Sequence, residues 1–244
     1  MVKIQVNSQG KAYLTSGGKV LVAGDGIIPT GTISISSNGT YDVTNYASAS
    51  VNVTSSYSIG SRVTDDNNNP VGTVSGVFID GNNQRYAVVC LDAVDRFEQG
   101  HCMSANNSPV AGIPEYTSQL VWSAPETATT NTDAILAQCA ASGYTSTACS
   151  HCRSKSFTIG GVTYYGQLPN LNELSQIYSL GTLINSQDST ASTYPTRVIG
   201  FGITTASSNL YNSSNCWDIF RTGSARWDVK NDDFFVIPVL EIPL

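Results

Sequence analysis

The segment ASSNLYNSSNCWDIFRTGSARWDVKNDDFFVIPV, residues 206–239, contains the apolar–polar alternation from which we predict the central strands of the fold. Trp217 and Trp227 each begin a short strand-like alternation, and Asn, Ser, Tyr, Asp and Arg surround them. Successive side chains of a strand point to opposite faces, which predicts that Trp217, Ile219, Trp227 and Val229 point into a core. Tyr, Ser and Asn provide adaptable contacts at modest entropic cost, so the segment predicts a recognition surface on a rigid scaffold.

The other faces of these two strands are expected to point to solvent. Asp218 and Phe220 share the outer face of the first strand, and Asp228 and Lys230 share the outer face of the second. An exposed Phe220 next to Arg221 is typical of a binding hot spot, where aromatic and Arg side chains are enriched. The alternative is that Phe220 packs against a neighbouring loop or subunit and that the charged residues are solvated surface.

The composition indicates a surface of uncharged polar groups. The chain has 244 residues, 41% of them hydrophobic, which suffices for a sizeable core. Charged residues make up only 12%, against about 25% in an average soluble protein. The 12 basic and 18 acidic residues form no basic stripe, so we expect no binding to nucleic acid. No long apolar run is present, so we expect neither membrane insertion nor a Sec signal peptide.

Residues 1–56 predict a small all-β module. Ile33 and Ile35 alternate with serines, Asn38-Gly39 predicts a two-residue hairpin, and residues 47–53 alternate again. So short a unit is marginal alone. Its segment NGTYDVTNYASASVNV, residues 38–53, resembles one that recurs in structural and tail proteins of phages infecting Gram-positive gut bacteria. The resemblance implies a virion-attachment or spacer module that contacts other virion proteins.

The first half of residues 57–244 predicts strands followed by a helix. Residues 71–79 and 85–94 have strand patterns, joined by a turn over 80–83. We expect a loop over 95–118. A helix is expected over 131–143, capped by Asn131 or Thr132 and ended by Gly143.

The second half predicts a connector, a helix and further strands. Residues 144–166 are expected to form a connector with one short strand. A second helix starts at Asn170, which together with Glu173 predicts a capping box, and Gly181 is expected to end it. The last strand, FFVIPVLEI over 234–242, contains Pro238, which belongs at a sheet edge or a bulge.

Four motifs, in this order, carry a resemblance to a known family: Leu168-Pro169 with Glu173-Leu174, Thr205-Ala206-Ser207-Ser208, Cys216-Trp217-Asp218-Ile219, and Val236-Ile237-Pro238-Val239. They resemble the C-type lectin-like domains that are variable proteins of diversity-generating retroelements, and their relatives in phage tails and bacterial surface proteins. The resemblance covers residues 57–244 and implies an α+β C-type lectin-like fold of antiparallel strands with two short helices. Two residues depart from the family pattern. Ile237 stands where the family usually has Arg, and Thr205 stands where it often has Trp.

The resemblance implies a phage tail or virion-associated receptor-binding protein, made in the bacterial cytoplasm and located in the virion. Its partner would be a host cell-surface protein or glycan, and adenine-directed mutation would vary the binding surface in diversified members. Homotrimers are common among phage adhesins. The alternative is a structural virion or bacterial surface protein with a non-diversified domain. The ligand-binding positions implied are Asn209, Tyr211, Asn212, Ser213, Ser214, Asn215, Asp218, Phe220, Arg221, Ser224, Arg226 and Asp228.

The cysteines leave three hypotheses open. Cys149 and Cys152 flank His151, and Cys139 lies upstream, which suggests a metal site, a disulfide or free thiols. Zinc needs four ligands, and no second C-x-x-C pair follows, so we expect no metal.

Neither a cofactor nor catalysis is expected. The calcium-dependent sugar motifs of C-type lectins are absent, as are G-x-S-x-G, the P-loop and H-E-x-x-H. An enzyme that uses Cys216, or the pair Cys149 and Cys152, is the third hypothesis.

Overall fold

The chain divides into two compact units, Met1–Ser56 and Tyr57–Leu244. A computed structural model describes residues 57–103, 110, 113, 127–188, 190, 204–205, 215–220 and 223–244 of the second unit. In the first unit it describes five strand segments. The described residues have an α+β fold with mainly antiparallel sheets and four helices, where the sequence predicted two helices.

The first unit is all-β in its described residues, as predicted. Its strands are β1 Ile4–Val6, β2 Lys11–Leu14, β3 Thr32–Ile35, β4 Tyr41–Asp42 and β5 Ser48–Val51. They form an antiparallel sheet in the order β1-β2-β4 and a separate parallel pair, β3-β5. The predicted hairpin turn Asn38-Gly39 lies outside the described residues; of the described strands before and after it, β3 pairs with β5 and β4 with β2.

The second unit contains two larger sheets, a hairpin and the helices. The described elements, in chain order, are β6 Arg62–Thr64, β7 Pro70–Ile79, β8 Arg85–Leu91, β9 Phe97–Gly100, α1 Ala128–Ser142, α2 Thr147–Arg153, β10 Ser156–Ile159, β11 Val162–Tyr165, α3 Leu171–Ser179, α4 Gly181–Gln187, β12 Thr204–Thr205, β13 Asn215–Ile219, β14 Ala225–Val229, β15 Phe234–Val236 and β16 Val239–Pro243. One sheet has the order β16-β8-β7-β6, another β14-β13-β12-β15-β9, and β10 pairs with β11. Pro238 lies between β15 and β16, outside both ladders.

Strand β8 is buried on both faces, which explains its nearly continuous apolar sequence. Tyr86, Val88 and Cys90 enter a core with Trp217, Ile219 and the apolar face of α3. The alternate residues Ala87, Val89 and Leu91 enter a second core that the β10–β11 hairpin helps to cover. The first of these cores therefore lies between the two sheets and joins them.

Helix α3 is encoded locally, and its predicted start is confirmed. The Asn170 side chain accepts a hydrogen bond from the backbone N of Glu173 at 2.9 Å, and Glu173 Oε2 accepts one from the backbone N of Asn170 at 3.0 Å. Its apolar residues Leu171, Leu174 and Ile177 are buried. The predicted end at Gly181 differs by one residue, because Leu180 caps α3 and Gly181 already begins α4.

Helix α1 begins three residues before the predicted position. Thr127 caps it, and the Glu241 carboxylate accepts hydrogen bonds from the backbone N of Ala128 at 2.7 Å and of Thr129 at 3.0 Å. This second cap comes from β16, more than a hundred residues away, so a local pattern does not contain it. The predicted end at Gly143 is confirmed by its left-handed φ of 71°.

Two segments predicted as irregular are regular. Cys149 and Cys152 lie in helix α2, whose first turn is capped by the Ser146 side chain accepting from the backbone N of Cys149 at 3.1 Å. Strand β9 lies within the predicted loop 95–118 and pairs with β15. The single strand predicted near 157–165 is a hairpin of two strands, β10 and β11.

A buried carboxyl, Glu173, connects α3 to the elements around it. Tyr86 on β8 donates a hydrogen bond to Glu173 Oε1 at 3.1 Å, and Glu173 itself is fully buried. Burial raises the pKa of Glu173 well above its usual value, and the neighbouring Glu241 carboxylate raises it further. The native state therefore favours the neutral acid of Glu173 more than the unfolded chain does.

Glu173→Gln is expected to remove a pH dependence of stability. Because the native pKa is raised, the stabilising proton is fully present below about pH 4.5, the usual value, and stability falls as pH rises toward the native pKa. One proton corresponds to a slope of about 1.4 kcal/mol per pH unit in the free energy of unfolding. Urea unfolding at several pH values measures it, and an unchanged slope in Glu173→Gln, whose amide stays neutral, would contradict the protonated state.

Candidate functional site

The candidate recognition segment forms an antiparallel hairpin of β13 and β14. The register sets Cys216 opposite Asp228, Trp217 opposite Trp227 and Asp218 opposite Arg226. The connection closes through a hydrogen bond from the backbone N of Phe220 to the O of Ser224 at 2.9 Å. Gly223 has a φ of 84°, a conformation that glycine adopts without strain.

The two strands differ in position within the sheet. Strand β13 is paired on both sides, with β14 and β12, whereas β14 is the outermost of the strands that the structure describes in this sheet. Every residue of β13 is buried, while β14 has partly and fully exposed positions. The hairpin thus has one strand inside the fold and one at its surface.

The predicted inward positions divide along the same line. Trp217, exposed by 3%, and Ile219 are in the core between the sheets, as predicted. The prediction for Trp227 and Val229 is wrong, because they are exposed by 48% and 38%. Opposite residues of an antiparallel pair share a face, so Trp227 lies on the face of Trp217 but on the sheet's outer strand.

Three residues predicted to face solvent are buried. Asn215 and Asp218 lie on the fully buried β13, and Lys230, directly after β14, is exposed by only 1%. A two-residue alternation identifies the face of a strand, but it does not reveal what covers that face. Asn215 and Asp218 are therefore no surface contacts for a ligand in this conformation.

Asp218, Arg226 and Asp228 form a charged triad on the face opposite Trp227. Arg226 Nε donates to Asp218 Oδ1 at 2.9 Å, and another guanidinium nitrogen donates to Asp228 Oδ2. Asp228 Oδ1 also accepts from the backbone N of Val229 at 2.9 Å. The Arg226 side chain is 38% exposed, so the triad is accessible through its cation.

Phe220 belongs with this triad. The Arg226 guanidinium carbon lies 5.6 Å from the centre of the Phe220 ring, within the range of a cation–π interaction. The sequence predicted that Phe220 pairs with Arg221. The described partner of the Phe220 ring is Arg226, six residues after Phe220. Hairpin register produces this pair, because it places Arg226 back alongside the end of β13.

The charge of the triad responds to pH near neutrality. Burial raises the pKa of Asp218 to about 6, against the opposing effect of Arg226. Within the described residues, Asp218 Oδ2 is buried and has no hydrogen-bond partner. A buried carboxylate oxygen without a donor favours the protonated acid, so the triad becomes more negative as pH rises through about 6.

The remaining predicted positions have mixed outcomes. Ser224 is exposed in the hairpin connection, and Phe220 is partly buried. Six positions lie outside the described residues: Asn209, Tyr211, Asn212, Ser213, Ser214 and Arg221. The structure brings Asp218, Phe220, Arg226 and Asp228 together, and it adds Trp227 and Val229, which the sequence had assigned to the core.

The cysteines and histidines form no metal centre in the described residues. No three His, Cys, Asp or Glu side chains there are arranged to hold a metal ion, and all six cysteines are buried thiols that form no disulfide. His151 Nε2 lies 2.7 Å from the carbonyl O of Asp95. His101 Nδ1 lies 3.5 Å from an Asp233 carboxylate oxygen. Both rings therefore have contacts within the fold.

Comparisons with protein-family models, with curated proteins and with solved structures found no match to this chain. None of the described helices is long and apolar enough to cross a membrane.

The two tryptophans of the hairpin provide a matched test of its burial. Trp217→Ala is expected to lower the free energy of unfolding by about 3–5 kcal/mol, because it empties a core site. Trp227→Ala is expected to change it by about 1 kcal/mol or less, because half of its surface is already in water. Urea unfolding of both variants measures this, and equal losses would contradict the edge position of Trp227.

Proposed function

We propose that the chain is a phage tail or virion-associated receptor-binding protein whose residues 57–244 form a C-type lectin-like ligand-binding domain. The observation that carries the proposal is the exposed pair Trp227 and Val229 on the outermost strand β14. Together these two residues are the edge surface. The order of motifs along residues 168–239 supports the choice of family, and the two larger, mainly antiparallel sheets with helices agree with an α+β domain.

The edge surface suits recognition because its support is rigid. Strand β14 pairs along its length with β13, and β13 is anchored through Trp217 and Ile219 in the core between the sheets. A large aromatic side chain on such a support loses little conformational entropy on binding. An exposed tryptophan is also the residue type most enriched in binding hot spots, together with Tyr and Arg.

The charged triad and Phe220 extend the proposed site to the other side of β14. Arg226 presents a partly exposed cation that its two carboxylates and the aromatic ring hold in place. A receptor would meet apolar surface on one side of the strand and charge on the other. Residues 206–214 and 221–222 adjoin these strands in sequence, and we include their candidate positions in the proposed binding surface.

The first unit is proposed as the attachment module, contacting other virion proteins and supporting a homotrimer. Its described strands are short, and one of its two sheets is a two-stranded pair, which is marginal without neighbours. Light scattering of the purified chain is expected to give the mass of a trimer. A clean monomer at micromolar concentration would contradict the trimer but would leave the binding surface untested by that measurement.

Loss of the edge surface is expected to weaken adhesion strongly. The double variant Trp227→Ala with Val229→Ala should bind host cells at least about tenfold more weakly, because hot-spot aromatics carry about 2 kcal/mol or more each. Flow cytometry of fluorescently labelled protein on a panel of Gram-positive gut bacteria measures the binding.

Ile79→Ala provides the matched control, since Ile79 is also exposed, by 62%, but ends strand β7 in the other sheet. Its adhesion should equal that of the parent chain. Unchanged adhesion of the double variant would make the edge-surface assignment wrong. Failure of the parent chain to bind any cell of the panel would favour the structural virion or bacterial surface protein.

A further inference from the structure

Five of the six cysteines meet in one buried cluster. They come from the segment after β9, from helices α1 and α2, and from strand β13: Cys102, Cys139, Cys149, Cys152 and Cys216. Four stretches of chain that are distant in sequence thus bring thiols to one place. Cys216 and Trp217 are consecutive residues of β13, so their side chains point to opposite faces of the strand. The cysteine cluster therefore covers the face of β13 opposite Trp217.

Backbone contacts on both sides fix the position of Cys102. Before it, His101 donates from its backbone N to Thr147 Oγ1 at 3.0 Å and accepts at its O from the backbone N of Ala148 at 3.2 Å. After it, the backbone N of Met103 donates to the O of Lys230 at 3.0 Å. Cys102 is therefore held between the start of α2 and the residue that follows β14.

This position brings Cys102 to Cys216. Cys216 lies opposite Asp228 on β14. Asp228 is two residues before Lys230, whose backbone O accepts the hydrogen bond from Met103, the residue after Cys102. Both cysteines are fully buried in the same cluster. A side-chain hydrogen bond with Cys216 raises the pKa of the Cys102 thiol, and burial raises it further. The two thiols are thus neighbours, although 113 residues lie between Cys102 and Cys216 in the chain.

We propose that Cys102 and Cys216 are an oxidisable pair, and that a small-molecule disulfide such as glutathione disulfide converts them into an intramolecular disulfide. One thiolate attacks glutathione disulfide, forming a mixed disulfide and releasing one glutathione thiolate, which takes up a proton. The second cysteine then attacks the protein sulfur of the mixed disulfide and releases the second glutathione. Two protein thiols are oxidised, and one glutathione disulfide is reduced to two glutathione molecules.

The bond would tie β13 to the segment that follows β9. It would close a loop of more than a hundred residues, a length at which a disulfide restricts the unfolded chain strongly. Because neither thiol is exposed, the reaction proceeds through local opening and is slow in the intact fold. The reduced chain is then the form made in a reducing compartment, and the oxidised chain forms where small-molecule disulfides accumulate.

Peptide mapping tests the pair directly. The full chain is incubated at pH 8.5 with excess glutathione disulfide, alkylated in denaturant, and separated without reductant to select the single-chain species. Trypsin with Asp-N cuts before Asp133 and Asp218, which separates Cys102 in peptide 97–132 from the other cluster cysteines in 133–153 and places Cys216 in 198–217. The expected product is a cross-link between 97–132 and 198–217. A cross-link of 133–153 to either peptide in its place, or no cross-link, would overturn the proposal.

Thermal unfolding provides the second readout. Oxidation of the parent chain should raise Tm by roughly 5–15 °C. Cys216→Ser should lose both the cross-link and this rise, whereas Cys139→Ser, from the same cluster, should keep both. The comparison is between oxidised and reduced samples of each variant, so a lower starting stability does not affect it. An equal rise in Cys216→Ser would overturn the proposal.

Discussion

The contact of Glu173 with Glu241 is the constraint on which the larger unit depends. Glu241 on β16 caps the first turn of α1, and Glu173 closes the capping box of α3 and accepts from Tyr86 on β8. Two helices and two strands therefore meet at one pair of carboxyl groups. Glu173 is buried, and burial together with the neighbouring Glu241 carboxylate raises the pKa of Glu173 well above its usual value, which favours the neutral acid. The docking of these helices on the sheet is therefore coupled to the protonation of Glu173.

That arrangement determines which strand of the hairpin is exposed. Helix α3, fixed by Glu173, covers Trp217 and Ile219 from one side, and the cysteine cluster covers Cys216 from the other. Strand β13 is consequently buried along its whole length and becomes a rigid backing for β14. The exposed Trp227 and the partly exposed Arg226 then project from a strand whose own movement is limited. The exposed position of β14 thus accompanies the complete burial of β13, the strand next to it.

The sequence predicts those features whose causes are local. Asn170 and Glu173 satisfy each other within one turn, so the start of α3 was predictable, as was the left-handed Gly143 at the end of α1. The start of α1 was not, because Glu241 supplies part of its cap from another element. The positions of Trp217 and Trp227 differ for a similar reason. Their alternation patterns are alike, and only the strand order shows that one strand is interior and the other outermost.

Oxidative footprinting of the tryptophans on the intact protein, with and without bound host cells, tests whether the β14 edge binds the receptor. Trp227 should be oxidised in the free protein and protected when cells are bound, because half of its surface is exposed on the proposed binding strand. Trp217 should stay unmodified in both states, since it is buried. Equal oxidation of Trp227 in the free and the cell-bound protein would contradict the claim that the β14 edge is the receptor-binding surface.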